Sequence, residues 1–517
     1  MSLLDDRRKI GQRIVAGFPG PAMSPEFVEL VRRHKVANVI LFRANVEDRA
    51  QLRRLCGEIQ ELVRRETGAP AFITIDQEGG MVTRLSPDCA NVPGAMALSA
   101  GGGEEDALRA GRVTGRQLRA LGVTFDLAPD MDVNSNPANP VIGVRSYSDD
   151  PARVARMGTA MMRGLLEEGV LCCAKHFPGH GDPDVDSHLG LPKVDKSLEE
   201  LERTELVPFT AAIRAGIPGV MSSHILFPQL EPEGKPATMS RRIMTDLLRR
   251  KLGFEGLVVS DCMQMQAIQK FYGTVNGVVQ AVKAGVDLVF VSHDAALAGQ
   301  AAEALLEELN AGKLDRAELD ASVDRILAYK ERYALEPLPL EECGTPEQMA
   351  FVREALDRSM TVVHSPAGGM PALGAAPLFV GCRAFRPTEA SNSEDASFSF
   401  AETLAARLGG RALVTTPDPD EGEIGQAREL AKEASCVVLG SYNGHLKPGQ
   451  RAMARALAGC GRPMIQVALR NPYDLADTPE QVWALAAYEY TPQSLDAVCR
   501  VLAGRLRPAG VLPVKLK

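Results

Sequence analysis

The densest chemistry in the sequence runs from Lys175 to His188 and reads KHFPGHGDPDVDSH. It holds one lysine, three of the eight histidines and three aspartates. Prolines at 178 and 183 and glycines at 179 and 181 exclude a helix interior. His176 and His180 are four apart, but without a helix between them they do not form a zinc-binding pair, and no metal is expected. Asp186 and His188 are two apart. In an extended or turning segment such residues point to the same side, so the carboxylate reaches the imidazole. A carboxylate on one ring nitrogen fixes the tautomer and raises the basicity of the other, which suits general acid/base work near neutral pH. A surface turn of Asp-Ser-His is the plain structural alternative.

Asp261 directly follows the apolar run GLVVS. An acid there serves as a nucleophile or ligand, or simply caps the next helix; taken alone the residue leaves both open. DQEGG at 76–80, followed by Arg84, sets an acid beyond another apolar run, with glycines where the backbone turns or approaches a ligand closely. The stretch from Asp130 to Arg145, DMDVNSNPANPVIGVR, is rich in the residues of ordered loops, and Arg145 at its end could fork onto a hydroxyl or carbonyl group.

Elements able to position these groups recur through the first two thirds of the chain. Apolar runs at 13–16, 37–42, 71–75, 123–127, 170–174, 219–222, 256–260 and 287–291 alternate with amphipathic stretches such as 51–65, 152–168 and 301–309. Eight strand–helix units predict a (β/α)8 barrel over residues 1–335. Six of the runs end in, or just before, a group able to bond or titrate: Asp76, Asp130 and Asp132, Lys175 and His176, His224, Asp261 and His293. Barrel enzymes gather their active sites at such strand ends.

A proline-rich lapse at 336–346 reads as a linker. From 347 to 517 strands at 377–381, 412–416, 436–441, 464–469 and 482–488, with helices at 347–359, 422–434 and 449–458, predict an αβα sandwich. The polar loop 385–399 is expected to be mobile, and no GxGxxG or P-loop spacing assigns a nucleotide role to this half.

Composition is that of a globular chain: 517 residues, 45% hydrophobic and 24% charged. A net charge of −8 argues against a nucleic-acid partner, and no apolar run is long enough to span a membrane. The N-terminus does not read as a signal peptide, and the ten scattered cysteines, without a CxxC, read as reduced core residues of a cytoplasmic protein.

Taken together, DQEGGxVxR, DVNxNPxNPxIGxRS, KHFPGHGDxxxDSHxxLP and GFEGLVVSD resemble the β-N-acetylglucosaminidases of glycoside hydrolase family 3. The second half, with RNPYDL near 470, is similar to the sandwich of the family's two-domain members. The resemblance implies a retaining exo-hydrolase of terminal β-linked N-acetylglucosamine, without a cofactor, with Asp261 as nucleophile and His188, oriented by Asp186, as acid/base. It sets Asp76, Arg84, Arg145, Lys175 and His176 on the sugar, and with the cytoplasmic reading it suggests peptidoglycan fragments as substrates.

Three positions depart from the family's usual residues: Met81 stands for Arg, Cys262 for a second Asp, and Pro183 for Thr. Because a neutral histidine does not repel an anion as a carboxylate does, a phosphorylase using phosphate is an alternative. A β-glucosidase of the same family, whose acid tends to come from the second domain, is another. A metal-dependent barrel hydrolase and a non-catalytic sugar-binding protein are the remaining classes. The sequence leaves the oligomeric state open.

Overall fold

The computed structural model describes residues 4–183, 191–385 and 398–517. Asp186 and His188 therefore lie outside the described residues, as does most of the loop expected to be mobile.

Eight short strands close into a parallel barrel: β1 (Ile14–Ala16), β2 (Asn38–Leu41), β3 (Phe72–Ile75), β4 (Phe125–Asp126), β5 (Leu171–Phe177), β6 (Gly219–Ser222), β7 (Leu257–Cys262) and β8 (Leu288–Val291). Closure is direct, with Ile14 opposite Val289 and Ala16 opposite Val291. Alternate residues explain why the strands read as unbroken apolar runs. Val15, Ile40, Phe72, Phe125, Leu171 and Leu288 fill the barrel interior. Their neighbours Ile14, Val39, Ile73, Cys172 and Val289 pack outward against the helices.

The helices carry the expected signals. The helix Arg49–Thr67 starts on the Asp48 side chain and stops at Gly68, whose φ of 80° is the left-handed geometry of a helix end. Pro151–Glu167 begins with proline after an Asp150 cap.

The segment between the last barrel helix, Arg316–Tyr333, and the helix Pro346–Ser359 is anchored to the barrel. Arg49 Nη1 donates to the Cys343 carbonyl at 2.6 Å, and the Cys343 and Cys89 sulfurs lie 3.5 Å apart. Beyond it stand β9 (Thr361–His364), β10 (Leu378–Cys382), β11 (Arg411–Thr415), β12 (Val437–Ser441), β13 (Met464–Ala468) and β14 (Val482–Ala486). Their order is β11-β10-β12-β13-β14-β9, parallel except for β9. The helices Phe400–Leu408 and Pro492–Leu502 cover one face, and Glu421–Ala431 and Pro448–Ala458 the other.

No described helix is long and apolar enough to cross a membrane.

Candidate active site

The carboxyl ends of the barrel strands open into a cavity of about 1220 Å³, and the second domain supplies part of its wall. Asp76, Arg84, Arg145, Lys175, His176 and Asp261 all line it. These are the described residues among those that the family resemblance sets at the site; of the other strand-end groups, His293 lines the cavity and Asp130, Asp132 and His224 do not.

β5 and β7 each run past their apolar stretch, so Lys175, His176 and Asp261 sit on strand backbone rather than on loops. The Lys175–His176 peptide is cis. Lys175 Nζ donates to Asp76 Oδ1 at 2.9 Å and pairs with Glu78 Oε1 at 2.6 Å. Burial alone would pull the lysine pKa down, but the two carboxylates outweigh it and hold the ammonium above its ordinary value. Asp76 stays one-fifth exposed, and Arg84 Nη2 lies 3.7 Å from its other oxygen. Arg84 is returned to Asp76 by a tight turn in which Gly79 and Val82 pair, while Gln77 Oε1 accepts from the Arg84 amide at 2.9 Å.

Arg145 does fork, but onto the protein. Its Nε and Nη2 donate to the two oxygens of Glu78 at 2.9 and 2.8 Å. Burial would raise the Glu78 pKa, yet Arg145 and Lys175 together hold it well below the usual carboxylate range. The glycines of DQEGG likewise approach the protein's own chain. A Cβ on Gly80 (φ 54°) would meet the Gly94 amide nitrogen at 2.7 Å and Glu489 Oε1 at 2.9 Å.

Behind the cavity wall, Asp132 organises the histidines. Its Oδ2 faces His176 Nδ1 at 2.7 Å, and its Oδ1 accepts from the His180 amide at 2.6 Å. His176 Nε2 lies 3.4 Å from Arg145 Nη2. A guanidinium only donates, so these partners assign the proton to Nδ1 and leave Nε2 accepting. Burial lowers the His180 pKa to about 4, with His176 adding to the effect.

Asp130, Asp132 and His176 are the one described trio close enough to share a cation. The donor set does not favour one. Asp132 already receives the His176 ring and two backbone N–H groups, and Arg145 stands 3.6 Å from Asp130 Oδ2. Burial, then the neighbouring Asp132, pushes the Asp130 carboxyl well above its ordinary pKa, toward the neutral acid.

Asp261 is not a helix cap: it lies within β7, where its Oδ1 accepts from the Cys262 amide at 2.7 Å. The two remaining strand-end histidines differ. His293 lines the cavity. His224 is absent from its lining and instead spans Thr238 Oγ1 at 2.8 Å and the Cys262 carbonyl at 3.0 Å. Met81 meets the second domain, with Tyr442 Oη at 3.9 Å from its sulfur.

Asp132 is legible in the sequence as an acid just past the β4 run, whereas Glu78 and Glu489 are not among the residues singled out. For Glu78 the signal was present, an acid inside DQEGG. Glu489 had none, because it comes from the loop after β14 and reaches the barrel only through the fold. Its Oε1 accepts from the Gly94 amide at 2.6 Å, and it lines the cavity. Burial pushes its carboxyl up to about 7.

Residues 6–329 match the family model described as the glycosyl hydrolase family 3 N-terminal domain. The chain belongs to glycosyl hydrolase family 3. By family it is a glycoside hydrolase built on a barrel with a second sheet domain. A β-hexosaminidase A from Pseudoalteromonas piscicida is 37% identical over 60% of this chain, although the match spans only 56% of that protein. A β-hexosaminidase from Thiobacillus denitrificans is 35% identical over 57% of this chain and 76% of its own length. Among solved structures, a family 3 β-N-acetylglucosaminidase from Paenibacillus sp. str. FPU-7 is 38% identical, covers 99% of both chains and has a TM-score of 0.92. A β-glucoside phosphorylase shares the fold at a TM-score of 0.83 and 24% identity.

Proposed function

We propose that the protein is a retaining exo-β-N-acetylglucosaminidase that releases terminal N-acetylglucosamine from peptidoglycan fragments in the cytoplasm. The observation that carries the reading is the seat of Asp261 at the end of β7, on the same cavity as the Lys175–Asp76 pair, in a chain similar over its whole length to a family 3 β-N-acetylglucosaminidase. Ten cysteines held as thiols support a reducing compartment.

In this reading the partly buried Asp261 attacks the anomeric carbon and forms a glycosyl-enzyme. His188, oriented by Asp186, protonates the leaving oxygen and then takes a proton from water. Asp76 accepts from a sugar hydroxyl with its exposed edge. Two of the three Lys175 donors are held by Asp76 and Glu78, and the third is left for the sugar. Arg145 and His176 brace this wall, and Arg84 steadies Asp76. The cavity is larger than one sugar ring needs, which accommodates an aglycone.

Glu489 favours a second reading, in which the acid is a carboxyl of the second domain and the enzyme is nearer to a β-glucosidase. A buried carboxyl whose pKa is raised to about 7 suits a proton donor at neutral pH. The test compares Asp261→Asn, His188→Ala and Glu489→Gln on phenyl and dinitrophenyl β-N-acetylglucosaminides, the matching glucosides, and each with and without phosphate. Asp261→Asn is expected to abolish turnover of every substrate. His188→Ala is expected to lose about 100-fold or more on the phenyl compound and far less on the activated one. If Glu489→Gln shows that pattern and His188→Ala does not, the second reading replaces the first. Sugar phosphate as the main product would make the enzyme a phosphorylase.

A further inference from the structure

The loop 133–142 is gripped from both sides. On the barrel side it holds the start of the segment that leads to Asp186 and His188. Asn139 Nδ2 donates to the His180 and Pro183 carbonyls, both at 2.8 Å, and Asn136 Nδ2 donates to the Asp182 carbonyl at 2.8 Å. The fit is close enough that a Cβ on Gly181 would overlap the Val133 carbonyl oxygen at 1.6 Å. Only glycine passes there. Asn139 Oδ1 also accepts from the Val141 and Ile142 amides, which fixes the amide orientation that sends Nδ2 toward the 180s.

On the other side the second domain holds the same loop. His445 Nε2 lies 3.1 Å from the Pro137 carbonyl, while its Nδ1 lies 2.7 Å from Asp474 Oδ1. Both partners are acceptors, and through them the ring ties the Pro137 loop to Asp474 of its own domain. Next to it, Asn134 Nδ2 donates to Tyr473 Oη at 2.8 Å. Pro137 lies between Asn136 and Asn139, the two residues that reach the 180s.

We propose that His445 of the second domain is a positioning residue for the acid/base step, acting through Pro137, Asn136 and Asn139 on the root of the segment that carries Asp186 and His188. The inference rests on His188 being the acid/base. It gives the second domain a part in proton transfer without contact with the glycosidic oxygen. A displacement of about 1 Å at a proton donor lowers rate by up to 100-fold, so releasing the clamp should reach kcat more than KM.

The experiment measures kcat and KM of the full-length enzyme on phenyl and dinitrophenyl β-N-acetylglucosaminides for His445→Ala, His445→Gln and Asn139→Asp. Thermal unfolding is followed in parallel, and His188→Ala is the reference. His445→Ala is expected to lose about 10-fold or more in kcat on the phenyl compound and less than about 2-fold on the activated one, with KM little changed. His445→Gln, whose amide still donates to Pro137, should recover most of that loss. Asn139→Asp, which keeps the acceptor and removes the donors, should reproduce the alanine pattern and replaces it if His445→Ala does not fold. Arg358→Ala breaks a different surface ion pair, to Asp106, and should leave the ratio of the two substrates unchanged. Equal losses on both substrates, or none, while His188→Ala keeps its leaving-group dependence, overturn the inference alone. If His188→Ala itself lacks that dependence, the acid/base reading falls and takes the inference with it.

Discussion

Replacing Glu78 with glutamine isolates the charge balance of the sugar-facing wall. Glu78 is buried and takes three charge-assisted contacts, two from Arg145 at 2.9 and 2.8 Å and one from Lys175 at 2.6 Å. Glutamine keeps the shape, but its one acceptor oxygen cannot serve both cations, and its NH2 must turn toward a donor. Removing one partner of a buried ion pair costs about 3–5 kcal/mol. Asp76 remains 2.9 Å from Lys175 and Asp130 remains 3.6 Å from Arg145, so the low end, about 3 kcal/mol, is the better figure. With a urea m-value of about 3 kcal/mol/M for a large domain, the barrel's midpoint should fall by about 1 M. Far-UV circular dichroism is the suitable probe, because the single tryptophan, Trp483, lies in β14 and reports the second domain. With Lys175 no longer held between two carboxylates, kcat/KM should fall by about 100-fold. An unchanged midpoint together with unchanged kcat/KM would refute the idea that Glu78 sets the positions of Lys175 and Arg145.

The barrel was legible because a doubly buried parallel strand writes itself as an apolar run, and each polar residue that ends one stands out. β9 was not, since Thr361–His364 is a four-residue edge strand, the sheet's one antiparallel member, and only its first residue is buried. The helices Phe400–Leu408 and Pro492–Leu502 were also not anticipated, although both begin on side-chain caps, Ser399 and Thr491. In the site, individual residues were legible and their partners were not. Arg145 read as a free fork, but its target, Glu78, is set by a contact across 67 residues of sequence. Glu489 meets Gly94 across 395 residues, and His445 meets Pro137 across 308. Local pattern carries no record of such pairings, so the share of the site built by the second domain appears only in the fold.

Two further predictions follow from buried groups that titrate away from their ordinary ranges. Lys330 is buried beneath the barrel, where Nζ donates to Gln12 Oε1 at 2.6 Å and to the Ala37 carbonyl, and burial holds its pKa well below 10.5. The unfolded chain then binds the extra proton, so stability should rise with pH toward 10.5; Lys330→Met should flatten that rise, and parallel parent and variant curves of urea midpoint against pH would contradict it. Glu489 has the opposite sign. Burial raises its carboxyl from 4.5 to about 7, so between those values the folded protein keeps a proton that the unfolded chain has lost. Stability should therefore fall as pH rises through that window, by about 3 kcal/mol, and level off above it. Glu489→Gln keeps an acceptor for the Gly94 amide and has no proton to lose, so its stability relative to the parent should rise across the same window. Urea midpoints for both proteins supply the comparison. A difference that does not vary with pH would mean that Glu489 is ionised in the folded protein at neutral pH, and would remove the ground for treating it as a proton donor.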